Sequence, residues 1–511
     1  MAKIVFKEDK RNQLLLFPPD LGSLVPDNHL VRVVDKIINQ IDLNPLIATY
    51  KGGGTSSFCP RMMLKVITYG YIEKIYTNRR IEKALRENIN FMWLSGMSTP
   101  DHGTIHNFRS VRMKEVVDDV FSSVVEVLIE SGYIKAENLF VDGTKIEANA
   151  NRYSYVWRKN VERQSGIVKE RVSELLKAID QLQREEDAEY GIRNLEEIEG
   201  DITSEKVEKL IEDINQKLTN SSHSKAVSSN VKKLQKDCLP RMKKYEKQTH
   251  ILGGRNSCSK TDHDATFFRM KEDHLNKGQL KPAYNVQIAT EKQFILGYGV
   301  YQKADDTSVF IPFLEKIKNQ IKSLPGNIVA DAGYGSEENY DYITDNELGN
   351  YVKYNNYEYE KTNEYKNKKF LSSHFVYQPE KDQYTCPEGQ LLYYSTTQEI
   401  TSDNGYKAER RVYQSKTCST CIQRDLCCKG QKDRTIHVSP KLIMYKLAAK
   451  QNLESDKGLK LRSQRVVDVE SVFGQIKHNN QFRRFYTHGL KNVNTEWGII
   501  SIAHNIKKMA G

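Results

Sequence analysis

A chain of 511 residues, 38% of them hydrophobic, is long enough to bury a large core in roughly two to four domains. Its net charge of +11 and pI of about 8.9 are a moderate bias towards polyanionic partners and exclude a strongly acidic protein. No stretch approaches the roughly 18 apolar residues of a membrane span, and charged residues stand where a secretion signal needs apolar ones, so we expect a cytoplasmic protein without membrane contact.

The first third of the chain is predicted to form a helical domain over residues 1–132. Pro60 can begin a helix, and apolar residues recur at helical spacing from Val117 to Leu128 before Ser131-Gly132 ends the run. Five basic residues here suit either a helix-turn-helix that binds DNA ends or the solvated surface of a bundle: Arg79, Arg80, Arg109, Arg112 and Lys114.

A strand is predicted from Asn138 to Ile146, after which the chain changes character. Residues 155–250 are rich in Lys and Glu, with one apolar stripe of helical spacing from Val172 to Leu182 and another from Val207 to Leu218. We interpret this region as an antiparallel helical hairpin followed by a third, basic helix. A solvated helical insertion is the simpler alternative to a specific partner site.

The remaining elements predict a catalytic unit over residues 137–511. In chain order they are a hairpin of strands at 283–289 and 294–301, a helix at 308–321, a strand ending in Asp331, a short strand at 349–354, an irregular insertion at 360–437, and helices from 439 onward. Without the insertions, this order gives an α/β fold with a mixed sheet flanked by helices, which is the order of a ribonuclease-H-like fold.

Three carboxylates far apart in the chain suggest a metal site. Asp142 and Asp331 each end an apolar run predicted to be a buried strand, and Glu470 lies in a helical pattern before a basic run. Each one alone is more simply explained as a turn or surface residue. Together, two strand-end Asp and one helical Glu can hold two divalent metal ions for phosphoryl transfer, with Asp142 bridging both ions.

Basic residues near these acids are candidates for contacts with DNA phosphates. On one helix face, Glu470, Phe473 and Lys477 would lie together, so that Lys477 could hold a phosphate beside the metals. Arg483 and Arg484 are interleaved with Phe482, Phe485 and Tyr486, a mixture suited to phosphate contacts plus base stacking, with a solvated helix end as the alternative. A further basic run could line a DNA channel: Lys260, Arg269, Lys271, Lys277 and Lys281.

Five of the eight cysteines cluster late in the chain. Cys386, Cys418, Cys421 and Cys427 can supply the four thiolates of a tetrahedral zinc site, with Cys428 as a spare or a replacement for Cys427. Without an export signal, such a cluster favours metal over disulfides. We expect structural zinc in the insertion; unliganded thiols are the alternative, and no His-Glu pair is present to favour catalytic zinc.

Several stretches, in order along nearly the whole chain, resemble bacterial insertion-sequence transposases of the DDE class. They are Pro100-Asp101-His102-Gly103-Thr104-Ile105-His106-Asn107-Phe108-Arg109, Val141-Asp142-Gly143-Thr144-Lys145, Lys281-Pro282-Ala283-Tyr284-Asn285-Val286-Gln287, Ala330-Asp331-Ala332-Gly333-Tyr334-Gly335 and Val469-Glu470-Ser471-Val472-Phe473-Gly474-Gln475-Ile476-Lys477.

The resemblance implies a ribonuclease-H-like catalytic domain that uses two Mg²⁺ or Mn²⁺ ions. It identifies Asp142, Asp331 and Glu470 as the catalytic triad. It further implies a homodimer acting on double-stranded DNA with terminal inverted repeats and on target DNA. The predicted activity is metal-assisted DNA hydrolysis and strand transfer. The alternatives are a nuclease of the same fold that only hydrolyses, and an inactive transposase-derived DNA-binding protein.

One position departs from this resemblance. Related transposases often carry a Tyr and an Arg before the Glu, with the Arg four residues before it and a Lys seven residues after it. Lys477 fits this pattern, whereas position 466 is Val and the nearest arginine is Arg465. The resemblance therefore assigns no role to Arg465 and does not decide whether cleavage passes through a DNA hairpin.

Overall fold

The N-terminal part of the chain is helical, as predicted. The computed structural model describes residues 20–50, 57–190, 201–220, 225–270, 278–428, 430 and 432–511. The first helices are α1 (Leu30–Gln40), α2 (Asn44–Ala48), α3 (Pro60–Ile72), α4 (Asn78–Glu87), α5 (Ile89–Ser95), α6 (His102–Asn107) and α7 (Val117–Glu130). Among the described helices, none combines the length and the apolar character that a membrane crossing needs.

A mixed sheet follows, and its topology positions the candidate site. The strands up to residue 352 are β1 (Asn138–Glu147), β2 (Tyr155–Trp157), β3 (Ser257–Ser259), β4 (Thr266–Arg269), β5 (Leu280–Glu291), β6 (Phe294–Tyr301), β7 (Asn327–Ala330) and β8 (Gly349–Val352). The sheet order is β6–β5–β1–β7–β8, with β4 pairing the first residues of β5. Pairing is antiparallel for β6–β5 and β5–β1, and parallel for β1–β7 and β7–β8.

The insertion between β2 and β3 is a helical bundle with its own core, as the two apolar stripes predicted. Its helices are α8 (Arg158–Tyr190), α9 (Ser204–Asn220), α10 (Lys225–Lys233) and α11 (Leu239–Leu252), with a π-helical turn at Leu234–Cys238. Val172 and Ile179 of the first stripe are buried with Val207, Ile211 and Ile214 of the second. The strands β2 and β3 pair at the base of the bundle.

The Cys-rich segment is a sheet, so the prediction of an irregular insertion was wrong. Its antiparallel strands are β9 (Val376–Gln378), β10 (Gln383–Thr385), β11 (Leu391–Thr401), β12 (Lys407–Ser415) and β13 (Thr435–Val438). Most of β11 is exposed on both faces, which removes the apolar alternation that identifies a strand in a sequence. A small core of mainly aromatic residues supports the sheet: Phe375, Tyr384, Leu392, Tyr413 and Ile436.

Most of the later helices close the main core around the central sheet. They are α12 (Phe310–Ile321), α13 (Glu337–Asp345), α16 (Pro440–Glu454), α17 (Asp456–Arg465), α18 (Ser471–Gly474) and α19 (Leu490–Met509), with π-helical turns at Val466–Glu470 and Gln475–Asn479. The short helices α14 (Asn363–Asn367) and α15 (Arg424–Cys427) belong to the insertion that carries the Cys-rich sheet. The buried helix α19 packs on β6 and on the N-terminal helices α3 and α7. One continuous hydrophobic core therefore joins the N-terminal helices to the sheet.

Candidate active site

Asp142 and Asp331 lie at the same edge of the central sheet. The parallel pairing of β1 with β7 ends at Phe140 opposite Val329, and Asp331 directly follows the last residue of β7. Continuing this register by two residues sets Asp142 level with Asp331. The strand predicted from Asn138 to Ile146 is present as β1, which continues through Asp142 to Glu147. What ends there is the buried apolar run and the contact with β7.

The guanidinium of Arg465 brings the three predicted carboxylates together. Its Nη2 lies 3.0 Å from Asp142 Oδ1 and 3.9 Å from Asp331 Oδ2, and its Nη1 lies 3.2 Å from Glu470 Oε1. The side chains of Arg465 and Asp142 are only 13% and 18% exposed, whereas half of Glu470 faces solvent. One guanidinium therefore contacts three carboxylates in a partly desolvated setting. The negative charge of the acids exceeds the positive charge of this group, so the cluster favours binding of further cations.

A π-helical turn sets Arg465 and Glu470 on one side of their helix. The turn spans Val466–Glu470, and such a turn returns to the same side after about five residues. In a regular α-helix, residues five apart would be about 140° apart around the axis, because each residue turns about 100°. The extra residue of the π turn thus compensates for the departure at position 466.

Asp468, inside this turn, anchors it to the central sheet. Its carboxylate accepts hydrogen bonds from the backbone N–H groups of Lys292 (3.0 Å) and Gln293 (2.6 Å). These two residues form the β5–β6 turn with φ values of 52° and 66°. Both Asp468 and Arg465 were missed by the site prediction; the sequence marks Asp468 only as one more acid beside Glu470, and no pattern signals a π turn.

Burial raises the pKa of Asp142 to about 6. The Arg465 guanidinium acts in the opposite direction and lowers it, while the neighbouring Asp331 and Glu470 raise it further. The ionised form of Asp142 is therefore short of positive charge, and a divalent cation would supply it.

Lys477 lies beside the carboxylates, as predicted, but it is buried. Its Nζ donates a hydrogen bond to Thr144 Oγ1 at 2.5 Å, and only 6% of the residue is exposed. Thr144 is two residues beyond Asp142 on β1, so the two side chains share one face of the strand. This brings the ammonium group to the face that carries Asp142.

A buried polar cluster supports the site from neighbouring strands, and sequence reasoning missed it. Asp306 accepts hydrogen bonds from Asn285 and Gln287, both at 2.9 Å, and pairs with Lys145 at 3.2 Å. Gln287 also accepts a hydrogen bond from the hydroxyl group of Tyr334, three residues after Asp331. The signal available in the sequence was the alternation of Asn285 and Gln287 within an otherwise apolar strand.

Gly143 lies against this cluster. A Cβ atom at position 143 would clash with the amide of Gln287 on the neighbouring strand. The glycine after Asp142 is thus needed for the close approach of the Gln287 side chain to β1, rather than for a turn.

Two of the three aromatic residues beside Arg483 and Arg484 are part of the core, so the predicted role in base stacking was wrong for Phe482 and Phe485. Phe482 and Phe485 are each 1% exposed and contact the ring of Trp497 in α19. Tyr486 remains half-exposed and stacks on Tyr76, with ring centroids 5.4 Å apart. The sequence shows aromatic residues at these positions but not which way they face.

The two arginines themselves differ. Arg484 donates hydrogen bonds to the carbonyl oxygens of Ala148 and Ala150, both at 3.1 Å, where residues 483–485 pair with the end of β1. Both residues are exposed, but among the described residues Arg483 has only one backbone carbonyl partner, that of Lys477, at 3.4 Å from its Nε. Arg483 is therefore the better placed of the two for a phosphate contact.

The other predicted basic residues occupy varied settings. Arg269 is exposed at the end of β4, and Lys281 lies 3.8 Å from Glu147 on β1. Lys271 and Lys277 lie outside the described residues.

Arg109 is neither a DNA contact nor a solvated surface residue, so both interpretations of it were wrong. It is 5% exposed, hydrogen-bonds to the hydroxyl of Tyr71 and the backbone carbonyl of Tyr76, and lies 3.5 Å from Glu496 of α19. The buried pair joins the N-terminal helices to the C-terminal helix.

The five late cysteines line one small cavity of about 20 Å³, which has room for a single atom. The backbone N–H of Gln390 donates to Cys386 Sγ at 3.3 Å, and that of Arg434 donates to Cys418 Sγ at 3.4 Å. Cys428 donates its S–H to the carbonyl of Lys432 at 3.2 Å. Burial raises the pKa of Cys427, an effect that the Arg434 guanidinium opposes.

Within the described ranges, no three or more His, Cys, Asp or Glu side chains are arranged so that they could hold a metal ion in the conformation seen. In the carboxylate cluster, the Arg465 guanidinium contacts all three acids itself. Binding of metal there requires these side chains to rearrange around the ions.

Two family models match the chain. One, described as a transposase domain (DUF772), matches residues 19–111 in the N-terminal helices, and the other, described as a transposase DDE domain, matches residues 385–510. The second match contains Glu470, whereas Asp142 and Asp331 precede it. No curated protein and no solved structure matches the chain.

Proposed function

Because the chain belongs to the insertion-sequence DDE transposases, as its two domain matches show, we propose that it cuts the ends of a mobile DNA element and joins them to target DNA. The reaction centre is Asp142, Asp331 and Glu470. The observation that carries this assignment is the convergence of all three acids on the single guanidinium of Arg465.

The catalytic domain is ribonuclease-H-like in this proposal. The strand order β6–β5–β1–β7–β8 supports it, with two antiparallel pairings on one side of β1 and two parallel pairings on the other. The first acid lies on the central strand, the second follows the adjacent parallel strand, and the third lies on a later helix.

The residues present fit divalent cations with oxygen ligands. Asp142 would hold two Mg²⁺ or Mn²⁺ ions, with Asp331 and Glu470 each holding one of them. When bound, the ions would activate the attacking oxygen and stabilise the leaving oxygen of the phosphodiester. The raised pKa of Asp142 supports this fit, because its ionised form lacks sufficient positive charge nearby.

The basic side chains would orient the DNA around this centre. Arg465, which contacts all three acids, would also contact a phosphate of the bound DNA. Lys477 places its charge beside Thr144 on the Asp142 face of β1. Arg483 and Arg269 supply exposed charge for the DNA backbone farther out. The enzyme would act as a homodimer, with one protomer at each end of the element.

The cysteine cluster holds a structural zinc ion in this proposal. The support is the single-atom cavity and the two backbone N–H groups directed at Cys386 and Cys418, since such contacts stabilise thiolates. Cys421 and Cys427 complete the four ligands. Cys428 is the spare, because its thiol already donates to a carbonyl oxygen.

Nicking of a duplex that carries the terminal inverted repeat tests the reaction centre. Asp142→Asn, Asp331→Asn and Glu470→Gln should each abolish nicking with Mg²⁺ while DNA binding persists, because each change removes a metal ligand rather than a phosphate contact. Glu364→Gln, which removes an exposed carboxylate in the Cys-rich segment, is the control. Nicking at the wild-type rate by any of the three variants would remove that residue from the centre.

Strand transfer separates this function from its alternatives. Joining of a labelled, pre-cut end to plasmid DNA is expected of a transposase. Hydrolysis without joining would indicate a nuclease, and binding without either reaction would indicate an inactive DNA-binding protein.

A further inference from the structure

A pocket of about 260 Å³ lies at the base of the helical insertion, between β2, the start of α8 and the end of α11. It is separate from the carboxylate cluster, since Asp142, Asp331, Glu470 and Arg465 are not among the residues that line it. The volume is below that of typical sites for drug-sized ligands and suits one planar ring system.

Aromatic rings form one wall of this pocket and are held in place. Tyr155 and Trp157 contact each other, with centroids 5.9 Å apart, and both contact the buried Phe267 on β4. Pairing of β2 with β3 fixes their backbone. Tyr155 is nevertheless 49% exposed, and Tyr153 just before it is 81% exposed. Rings that are both anchored and accessible can stack on a ligand at little cost in side-chain entropy.

Side-chain amides and cations complete the lining. Asn160 and Gln164 lie one turn apart on α8, and Gln248 faces them from α11. Each amide carries both donors and an acceptor, and the Oδ1 of Asn160 already accepts from Arg163 Nη2 at 3.2 Å. Lys244 and Lys260 are exposed at the rim. None of the described residues that line the pocket is acidic, so the lining is complementary to an anionic ligand.

We propose that this pocket binds an unstacked nucleobase of the DNA substrate. Tyr155 and Trp157 stack on the base, the amides hydrogen-bond to its edge, and Lys244 and Lys260 contact the adjoining phosphates. The proposal rests on the proposed function for its partner, DNA, but it assigns a second binding site outside the reaction centre. Aromatic rings, amides and cations around one small pocket match the mixed chemistry of a nucleotide.

A pair of oligonucleotides of equal charge tests this site on the full-length chain. Wild-type protein should bind a short thymidine oligonucleotide more tightly than an oligonucleotide of the same length that contains abasic residues, by about five- to one-hundred-fold, since stacking on aromatic residues depends on the base. Tyr155→Ala should remove most of this difference, and Tyr155→Phe should keep it because the ring remains. Tyr393→Ala is the matched control, since Tyr393 has a similar exposure, 43%, in the Cys-rich sheet.

Two outcomes would overturn the proposal: equal affinity of the wild-type protein for both oligonucleotides, or an unchanged preference in Tyr155→Ala. Ultraviolet cross-linking of 5-iodouracil adds a direct readout, with cross-links expected in peptides that contain Tyr155 or Trp157, and cross-links confined to other peptides counting against the site. Nicking by the triad variants is measured separately. Absence of a base preference in the wild-type protein refutes the pocket alone, whereas nicking that does not need the triad refutes the proposed function.

Discussion

Replacing Asp142 with Asn should stabilise the metal-free protein at neutral pH, although it abolishes the reaction. Burial raises the pKa of this carboxyl from 3.8 to about 6, so ionisation is less favourable in the folded chain than in the unfolded chain. A shift of about two units corresponds to about 3 kcal/mol at roughly 1.4 kcal/mol per unit. The side chain is 18% exposed, so solvent reduces this cost of ionisation only weakly.

The sign of the pH dependence follows from the direction of the shift. A raised pKa favours the folded state below pH 3.8, and this advantage is lost as the pH rises through 6. Between about pH 4 and pH 7, the free energy of unfolding of the wild-type protein should therefore fall by about 3 kcal/mol relative to that of Asp142→Asn. At pH 8 this difference corresponds to a few degrees in melting temperature. Mg²⁺ should stabilise the wild-type protein much more than the variant.

Differential scanning fluorimetry at several pH values with EDTA measures this difference. Asp341→Asn is the control, because its expected effect on stability has the opposite sign. Burial raises the pKa of Asp341, but hydrogen bonds from Lys441 and Tyr445 outweigh it and lower the pKa overall, so its loss should destabilise the protein at pH 8. Identical melting curves for wild type and Asp142→Asn from pH 4 to pH 8 would refute the account of a charge-deficient site.

Five further substitutions test three other parts of the molecule. Cys421→Ser should lower the zinc content and make the Cys-rich sheet sensitive to protease. Cys428→Ser should keep the wild-type zinc content and protease resistance, because that thiol donates to a carbonyl oxygen. Wild-type protein purified without zinc would contradict the metal site. Arg483→Ala should reduce the slope of log affinity against log salt by about one unit, whereas Arg484→Ala should mainly lower thermal stability by removing its hydrogen bonds to backbone carbonyls; an unchanged slope would show that Arg483 contacts no phosphate. Burial lowers the pKa of His504 from 6.5 to about 4, so its contribution of about 3 kcal/mol is complete above pH 6.5 and is lost as the pH falls to 4. In His504→Gln, the free energy of unfolding measured in urea should change less with pH between pH 4 and pH 6.5 than it does in the wild-type protein. An unchanged pH dependence over this range would contradict the assignment to His504.

The central sheet was predictable because its strands are apolar runs that end at polar residues. The run before Asp331 and the hairpin of β5 and β6 have the expected bounds within a few residues. The strands of the Cys-rich sheet were not predictable, because β11 is polar on both faces and is held mainly by backbone pairing. The alternation of apolar and polar residues along a strand reflects burial of one face, so a strand with little burial shows little alternation.

The carboxylates could be chosen from the sequence, but their surroundings could not. Asp142 and Asp331 follow apolar runs, which is a local signal. The contact of Arg465 with both depends on a helical irregularity that no local pattern marks. Likewise, the burial of Phe482 depends on α19, a helix that comes later in the chain.

The π turn at Val466–Glu470 separates distance along the chain from position in space. A lineage could gain one residue between the arginine and the glutamate and absorb it as a wider helical turn, so that both side chains keep their places. A sequence alignment that requires a fixed number of residues between the arginine and the glutamate would then place a valine opposite an arginine. It would miss that the two side chains still contact each other. Deleting Val466 in this chain would reverse that insertion and restore the interval common among related transposases. The deletion would also bring Asp468, which accepts hydrogen bonds from the β5–β6 turn, one residue nearer to Arg465 along the chain.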